Sequence, residues 1–464
     1  MVSTAPIAQD LSSCQYLSSP SSAEVSPNQR LLPLTATANA QDHLEVGGCD
    51  VVELVQSFGS PLYILDEDTL RMACRQYREA FEQHYPGESL IVYASKAWNC
   101  LAVCAIATQE GIAIDVVSGG ELYTALKAGA AAEKLYFHGN NKSVDELQLG
   151  LDTGCRIVVD NEYELKTLAA LAAQQGKTAT ILLRLTPGIE CHTHEYIQTG
   201  HLDSKFGFDP DQLETIFAFV SQQPSLQCIG LHAHIGSQIF ELQPHYDLGG
   251  VLVQWLQTAA SYGLPIHELD VGGGLGIRYT EADDPPSIEA WSKTVCESVA
   301  AACKAQGVAL PKLLCEPGRS LIGSACVTAY TVGSQKTIPE MRTYVAVDGG
   351  MSDNPRPITY QSVYRVLAAN KMSATLSETV TLAGKHCESG DVIIQSAQLP
   401  ALEAGDIVVV PATGAYNYSM ASNYNRVGRP AAVLAAQGQA QLILQRETYD
   451  DLIRQDRLPA HLKA

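Results

Sequence analysis

Between residues 90 and 315, apolar side chains come in runs of four to six, at 90–94, 112–117, 134–137, 156–159, 180–185, 228–233, 267–271 and 312–315. Longer stretches rich in Ala, Leu, Glu and Gln lie between them, as at 120–128, 144–151 and 161–174. Short continuous apolar runs predict strands buried on both faces, and the stretches between them predict helices. Eight strands that alternate with helices imply a parallel sheet closed into a (β/α)8 barrel, with an open doubly wound sheet as the alternative. An earlier strand is predicted at 61–65, ahead of a helix over 66–84, and it is free to pair with a second domain.

After Gly318 the pattern changes. Helical stretches give way to β-rich runs at 325–332, 343–347, 379–383, 406–412, 431–436 and 441–445, set apart by turn formers, with one short helix at 449–455. The expected fold is therefore a TIM-like barrel over 48–325, followed by a mostly antiparallel β-sandwich or barrel domain over 326–464. Residues 1–47 read differently. From Ser12 to Gln41 the chain is rich in Ser, Ala, Pro and Thr without aliphatic periodicity, which predicts a disordered leader. Its only basic residue is Arg30, beside Asp10, Glu24, Asp42 and Glu45, so it does not have the makeup of a transit peptide. The start also lacks the charged and apolar regions of a secretory signal.

Composition narrows the function. With 30 Lys and Arg against 50 Asp and Glu, the formal charge of −20 argues against nucleic acid or an anionic membrane as partner. No run is long and apolar enough to span a bilayer. Thirteen cysteines, scattered without a CxxC pair, fit a reduced cytoplasmic protein in which most thiols are small core residues.

The chemistry lies where the barrel strands end. Lys96 follows the first, Asp115 lies on the second, His138 follows the third, and Asp160 ends the fourth. Arg184 lies on the fifth, His234 follows the sixth, Gly272, Gly273 and Gly274 follow the seventh, and Glu316 ends the eighth. A lysine at one strand end is more often a snorkelling side chain than a nucleophile. Polar groups after every strand, however, describe a cavity at the barrel rim where active sites of this architecture sit. A lysine inside such a cavity can attack an aldehyde. The glycine run lets backbone amides approach an anion, and Ser237 and the Gly318 amide with Arg319 add donors. A lysine, an acid, a flat imidazole and a phosphate nest together match pyridoxal 5'-phosphate. His192 and His194 stand two apart with no second ligand pair at finger spacing, so no metal is expected.

Six spaced segments carry a resemblance. Tyr93-Ala-Ser-Lys96-Ala, His232-Ala-His234-Ile-Gly-Ser237-Gln, Asp270-Val-Gly-Gly-Gly274-Leu-Gly, Cys315-Glu316-Pro-Gly-Arg319, Gly384-Lys-His-Cys387-Glu388-Ser-Gly-Asp391 and Gly414-Ala-Tyr416 resemble the barrel-fold group of pyridoxal-phosphate-dependent amino-acid decarboxylases. Within that group the likeness is to the branch that acts on diaminopimelate. It runs from about Gly48 to the end.

The resemblance implies a homodimer with shared active sites. In it Lys96 would hold the coenzyme aldehyde, Glu316 the ring nitrogen, and His234 would stack on the ring. Ser237, Gly272, Gly273, Gly274, Pro317, Gly318, Arg319 and Tyr416 would surround the phosphate, and Asp115 would orient Lys96. Arg319, Arg356, Tyr360 and Tyr416 would receive the far end of the substrate, where a guanidinium suits a carboxylate. Glu388 would pair with the distal ammonium and Cys387 would act as acid, both from the other subunit. A loop at 191–200 would cover the substrate. One departure is Trp98, where related decarboxylases often carry Asn, which puts local packing in question. Ornithine, arginine or carboxynorspermidine decarboxylation is the alternative activity. Ornithine enzymes resemble each other in an aspartate where this chain has Glu388. A racemase of this fold would lack the Cys387-Glu388 pair, and a non-enzymatic relative would lose the coenzyme residues.

Overall fold

The computed structural model describes residues 11–17, 26–189 and 204–463. A small sheet of β1 (Thr37–Ala38), β2 (Leu44–Val46) and β3 (Cys49–Asp50) precedes β4 (Leu62–Asp66). The barrel is built by β5 (Ser89–Ala94), β6 (Ala113–Val116), β7 (Leu135–Phe137), β8 (Arg156–Val159), β9 (Ala179–Arg184), β10 (Leu226–His232), β11 (Glu268–Asp270) and β12 (Lys312–Cys315). All neighbours pair in parallel, and β12 returns to β5 to close the ring. Each of the eight predicted runs therefore became one barrel strand.

The connections explain why the strands alternate with helices. Ser118 caps the helix Gly119–Lys127 by accepting from the Glu121 amide, and Asn161 caps Glu162–Gln174 through the Glu164 amide. Ser143 and Glu146 form a reciprocal capping box at Val144–Thr153, and left-handed Gly154 ends that helix. The barrel interior is closed by one apolar layer. Val92, Ala113, Tyr136, Val158, Leu182, Ile229 and Leu314, each from a different strand, form a buried cluster.

The second domain follows β12 with β13 (Cys326–Ile338), β14 (Arg342–Val347), β15 (Leu367–Ala368), β16 (Glu378–Ala383), β17 (Val392–Leu399), β18 (Ile407–Val410), β19 (Ala431–Ala436) and β20 (Gln439–Leu444). Its sheet runs β17-β16-β14-β13-β4-β19-β20, with β18 paired to β13 and β15. Among the described pairs only β14 with β16 and β4 with β19 are parallel. The early strand β4 is thus a central member of the second sheet, antiparallel to β13. All five of its residues are buried, which is why it reads as a continuous apolar run.

The expectation of a disordered leader over 1–47 is corrected for its described parts. Leu32, Leu44 and Val46 are buried against Leu62, Val327 and Val409. Asn28 is fully buried, and its side-chain amide donates to Gly276 O at 3.1 Å and to Pro286 O at 2.9 Å. The segment is held by scattered side chains and short strands, so no helix or strand period betrays its packing. Trp98 is accommodated by aromatic neighbours, stacking on Tyr418 at 5.7 Å and tilted against Tyr63 at 5.7 Å. The 191–200 loop, with His192 and His194, lies outside the described residues.

Candidate active site

A strand alternates its faces, so the residue two beyond an inward apolar side chain also points inward, one layer nearer the rim. Applied to the inner layer, this rule yields the site. Ala113 is followed by Asp115, Tyr136 by His138, Val158 by Asp160, Leu182 by Arg184 and Leu314 by Glu316. All five are buried polar residues, at the carboxyl ends of β6, β7, β8, β9 and β12. A cavity of about 430 Å³ stands over them, and Lys96, Asp115, His138, Arg184, His234 and Glu316 line it.

Lys96 leaves β5 on a short 3-10 turn, Ser95–Ala97, and is exposed to this open cavity. The cavity mouth admits solvent to its amine. Glu316 sits opposite, 7% exposed, with His232 Nε2 at 3.0 Å from Oε2 and His138 Nε2 at 2.6 Å from Oε1. Burial pushes the His138 imidazole down to about 4 and lowers His232, so both present neutral N–H groups to the carboxylate. Burial opposes the charge on Glu316, but the two imidazoles outweigh it and hold its carboxyl well below the usual range. Burial and the nearby Glu316 charge push both Asp115 and Asp270 well above theirs. Of these three carboxyls, Glu316 is the one the site favours as the carboxylate.

His234 is a neutral wall of the cavity. The Gly273 amide donates to its Nδ1 at 3.1 Å, which leaves the ring proton on Nε2. Burial, then the Lys96 charge, keeps it well below the ordinary imidazole value. This bond also corrects the expectation for the glycine run. The Gly273 amide is spent on His234, and the Gly272 amide on Asp270 Oδ1 at 2.8 Å, so neither is free for an anion. Gly272, Gly273 and Pro317 stand behind the wall rather than on it, whereas Gly274, Gly318, Arg319, Ser237 and Tyr416 line the cavity. Gly273 is needed for packing, since a Cβ there would lie 2.3 Å from Glu316 O.

At the far side the cavity is cationic. Arg319 and Arg356 are both buried, and Tyr416 lies beneath both, 4.8 Å and 5.8 Å from their Cζ atoms. Their described hydrogen bonds go to the hydroxyls of Ser237, Tyr279 and Ser362, not to carboxylates. Tyr360 closes this end, with Arg356 5.2 Å over its ring.

Residues 67–323 match the family model of the pyridoxal binding domain of pyridoxal-dependent decarboxylases. The chain belongs to the pyridoxal-dependent decarboxylase family. It is 66% identical to a diaminopimelate decarboxylase of Synechocystis, over 95% of this chain and 96% of that protein. It is 45% identical to the diaminopimelate decarboxylase of Bacillus subtilis, over 91% of this chain and 97% of the other. The fold matches a diaminopimelate decarboxylase from M. jannaschii in co-complex with L-lysine, with a TM-score of 0.86 at 32% identity, covering 92% and 99% of the two chains.

The site fits the coenzyme of this decarboxylase family. It sets a reachable amine, an ionised buried acid and a neutral planar imidazole around one cavity, with hydroxyl, amide and guanidinium donors at one end. Besides Gly272, Gly273 and Pro317, two more predicted residues are not brought in. Cys387 and Glu388 are exposed on the loop before β17 and do not line the cavity of their own chain. That loop is nonetheless braced: Asp391 accepts from the His386 amide at 2.9 Å and the Met351 amide at 2.7 Å, and Asn425 holds the Cys387 amide at 2.8 Å. Among the described cysteines, Cys387 alone is exposed. His138 and Arg184 were visible as strand-end residues but carried no assigned role, and His232 and Tyr279 were not singled out as site residues. His138, His232 and Glu316 also form a compact set of potential ligand atoms, all within 4.8 Å of one another, though no metal was expected here. Among the described residues, no helix is long and apolar enough to cross a membrane.

Proposed function

We propose that this chain decarboxylates meso-2,6-diaminopimelate to L-lysine and carbon dioxide, the last step of lysine biosynthesis, with pyridoxal 5'-phosphate as coenzyme. The observation that carries this reading is the pair of buried guanidiniums, Arg319 and Arg356, facing the same cavity as Lys96 with no carboxylate partner among the described residues. Two buried cations call for an anionic ligand, because burying charge without a counter-charge is costly. Diaminopimelate brings a second carboxylate to that end. Ornithine and arginine do not.

When bound, the coenzyme supplies an aldehyde that captures the substrate amine and a protonated ring that accepts the electrons left as carbon dioxide departs. The geometry supports the following part for the protein. Lys96 would hold the aldehyde, Glu316 would keep the proton on the ring nitrogen, and the neutral His234 ring would offer a flat face. Asp115 would orient Lys96, and Ser237, Gly274, Gly318 and Tyr416 would enclose the phosphate. Arg319, Arg356 and Tyr360 would hold the far carboxylate and so fix which of the two carboxyl groups leaves.

Among the described residues that line the cavity of one chain there is no cysteine to protonate the α-carbon. We assign that proton to the Cys387 thiol of a second copy, with Glu388 of the same copy receiving the distal ammonium, so the enzyme works as a homodimer. The braced loop, which presents an exposed thiol, supports this. Free and mostly buried thiols fit the reducing cytoplasm as its location.

Two measurements test the reading. Carbon dioxide release by purified protein should be far faster from meso-diaminopimelate than from ornithine, arginine or lysine; a preference for ornithine would overturn the substrate. Lys96→Ala and Cys387→Ala proteins should each be inactive alone. Mixed and allowed to exchange subunits, they should recover about a quarter of wild-type activity, since half the dimers then hold one intact site of two. No recovery despite exchange would show that the thiol does not act across subunits.

A further inference from the structure

The geometry points to Tyr279 as the residue that fixes how Arg319 meets the far carboxylate of the substrate. This positioning role, which sets specificity, rests on the decarboxylase reading above. Tyr279 lies behind Arg319 and lines a second cavity of about 370 Å³, which adjoins the first at Arg356 and Tyr360. Its hydroxyl oxygen accepts from Arg319 Nη1 at 2.6 Å. Ser237 Oγ accepts from Nε at 3.3 Å and from Nη2 at 3.0 Å. A guanidinium has five N–H donors, so these contacts leave one on each Nη. With Tyr416 stacked against the group, the contacts leave its plane little freedom.

The phenol is itself delivered by a braced turn. The amides of Tyr279 and Thr280 both donate to Asp283 Oδ2, at 3.0 Å and 2.8 Å, and the Thr280 hydroxyl joins them at 3.1 Å. From behind, Asn28 O accepts from the Arg278 amide at 2.9 Å, and the Asn28 side chain holds Gly276 O. The ring is wedged edge-on against Tyr364 at 5.2 Å, and only 8% of the residue is exposed. Burial disfavours a phenolate, yet Arg319 and then Arg356 bring its pKa below the ordinary value. The oxygen thus accepts from Arg319, whose described partners include no carboxylate. Without it, Nη1 loses its anchor and only the Ser237 contacts and the Tyr416 ring hold the Arg319 fork, which can then tilt toward the second cavity.

Tyr279→Phe keeps the ring packing and removes only that acceptor. In the holoenzyme, KM for meso-diaminopimelate should rise roughly tenfold or more, the scale for losing a charge-assisted hydrogen bond, while kcat stays within about threefold. Coenzyme affinity should be unchanged. Two inhibitors separate positioning from general damage. L-lysine retains the far carboxylate and should weaken by the same factor as the substrate, whereas 1,5-diaminopentane lacks it and should bind as before. In a double-mutant cycle, adding Arg319→Lys should cost little more than Arg319→Lys alone, because both changes act on one guanidinium. Equal weakening of the two inhibitors would overturn the proposal, as would additive losses or a variant that no longer holds coenzyme. A wild-type preference for ornithine would instead sink the parent reading, and it is read from the unmutated enzyme.

Discussion

Lys96→Ala protein is expected to lose turnover by about four orders of magnitude or more, the scale seen when a group that bonds covalently during catalysis is deleted. It should also lack the visible absorption that the coenzyme acquires when an amine of the protein holds its aldehyde. The prediction follows from how few amines reach the cavity. Among the described residues lining it, Lys96 is the only lysine. It is exposed to the cavity and faces the carboxyls of Asp115 and Glu316 across the barrel mouth. Folding should be unaffected, because the side chain packs into no core cluster and its turn is built by buried Ser95 and Ala97. Added small amines should restore part of the rate, since they replace the nucleophile without replacing its tether. Full activity in Lys96→Ala would refute the assignment at once.

The barrel could be read from the chain because a parallel sheet covered on both faces has to be written in continuous apolar runs. The rim residues could be read because they follow those runs at the period of two. What depends on contacts between distant segments could not. Gly272 and Gly273 look like anion-binding amides in sequence. Only the fold reveals that Asp270 and His234 take both N–H groups. Tyr279 stands 40 residues from Arg319 and meets it through a turn fixed by Asp283 and Asn28, and no local spacing announces this. Asn28 belongs to a stretch whose composition suggests disorder, yet its buried amide ties that stretch to the loop carrying Tyr279. Cys387 is the reverse case, since its motif is plain in sequence while the single chain leaves it on the surface.

Glu316→Gln should lower kcat roughly 10²- to 10³-fold while leaving the coenzyme bound, which distinguishes it from Lys96→Ala. The carboxylate accepts from neutral His232 and lies 2.6 Å from neutral His138. An amide of the same shape has one accepting oxygen, so its NH₂ group would face an imidazole N–H and force that ring to change tautomer. The larger effect is electrostatic. Burial first, and the Glu316 charge second, push Asp115 and Asp270 well above the usual carboxyl range. Removing that charge eases the second cause and takes the negative charge from the position opposite Lys96. The pH dependence has a definite sign. Because its folded pKa is depressed, Glu316 contributes stability that is present above the unfolded value of about 4.3 and is lost as pH falls through the folded value. His138 and His232 are depressed bases, so the unfolded chain takes up their protons first. Wild-type stability should therefore decline as pH drops from about 6.5, the unfolded histidine value, toward the His138 value of about 4. The Gln variant loses the Glu316 contribution, and the imidazole left facing its amide must change tautomer. Chemical denaturation of both proteins between pH 7 and about pH 3 would show this, with the gap between them narrowing below about pH 4.3, where the wild type loses the Glu316 contribution. An intact kcat would mean that Glu316 is a buried structural acid and not the partner of the ring nitrogen.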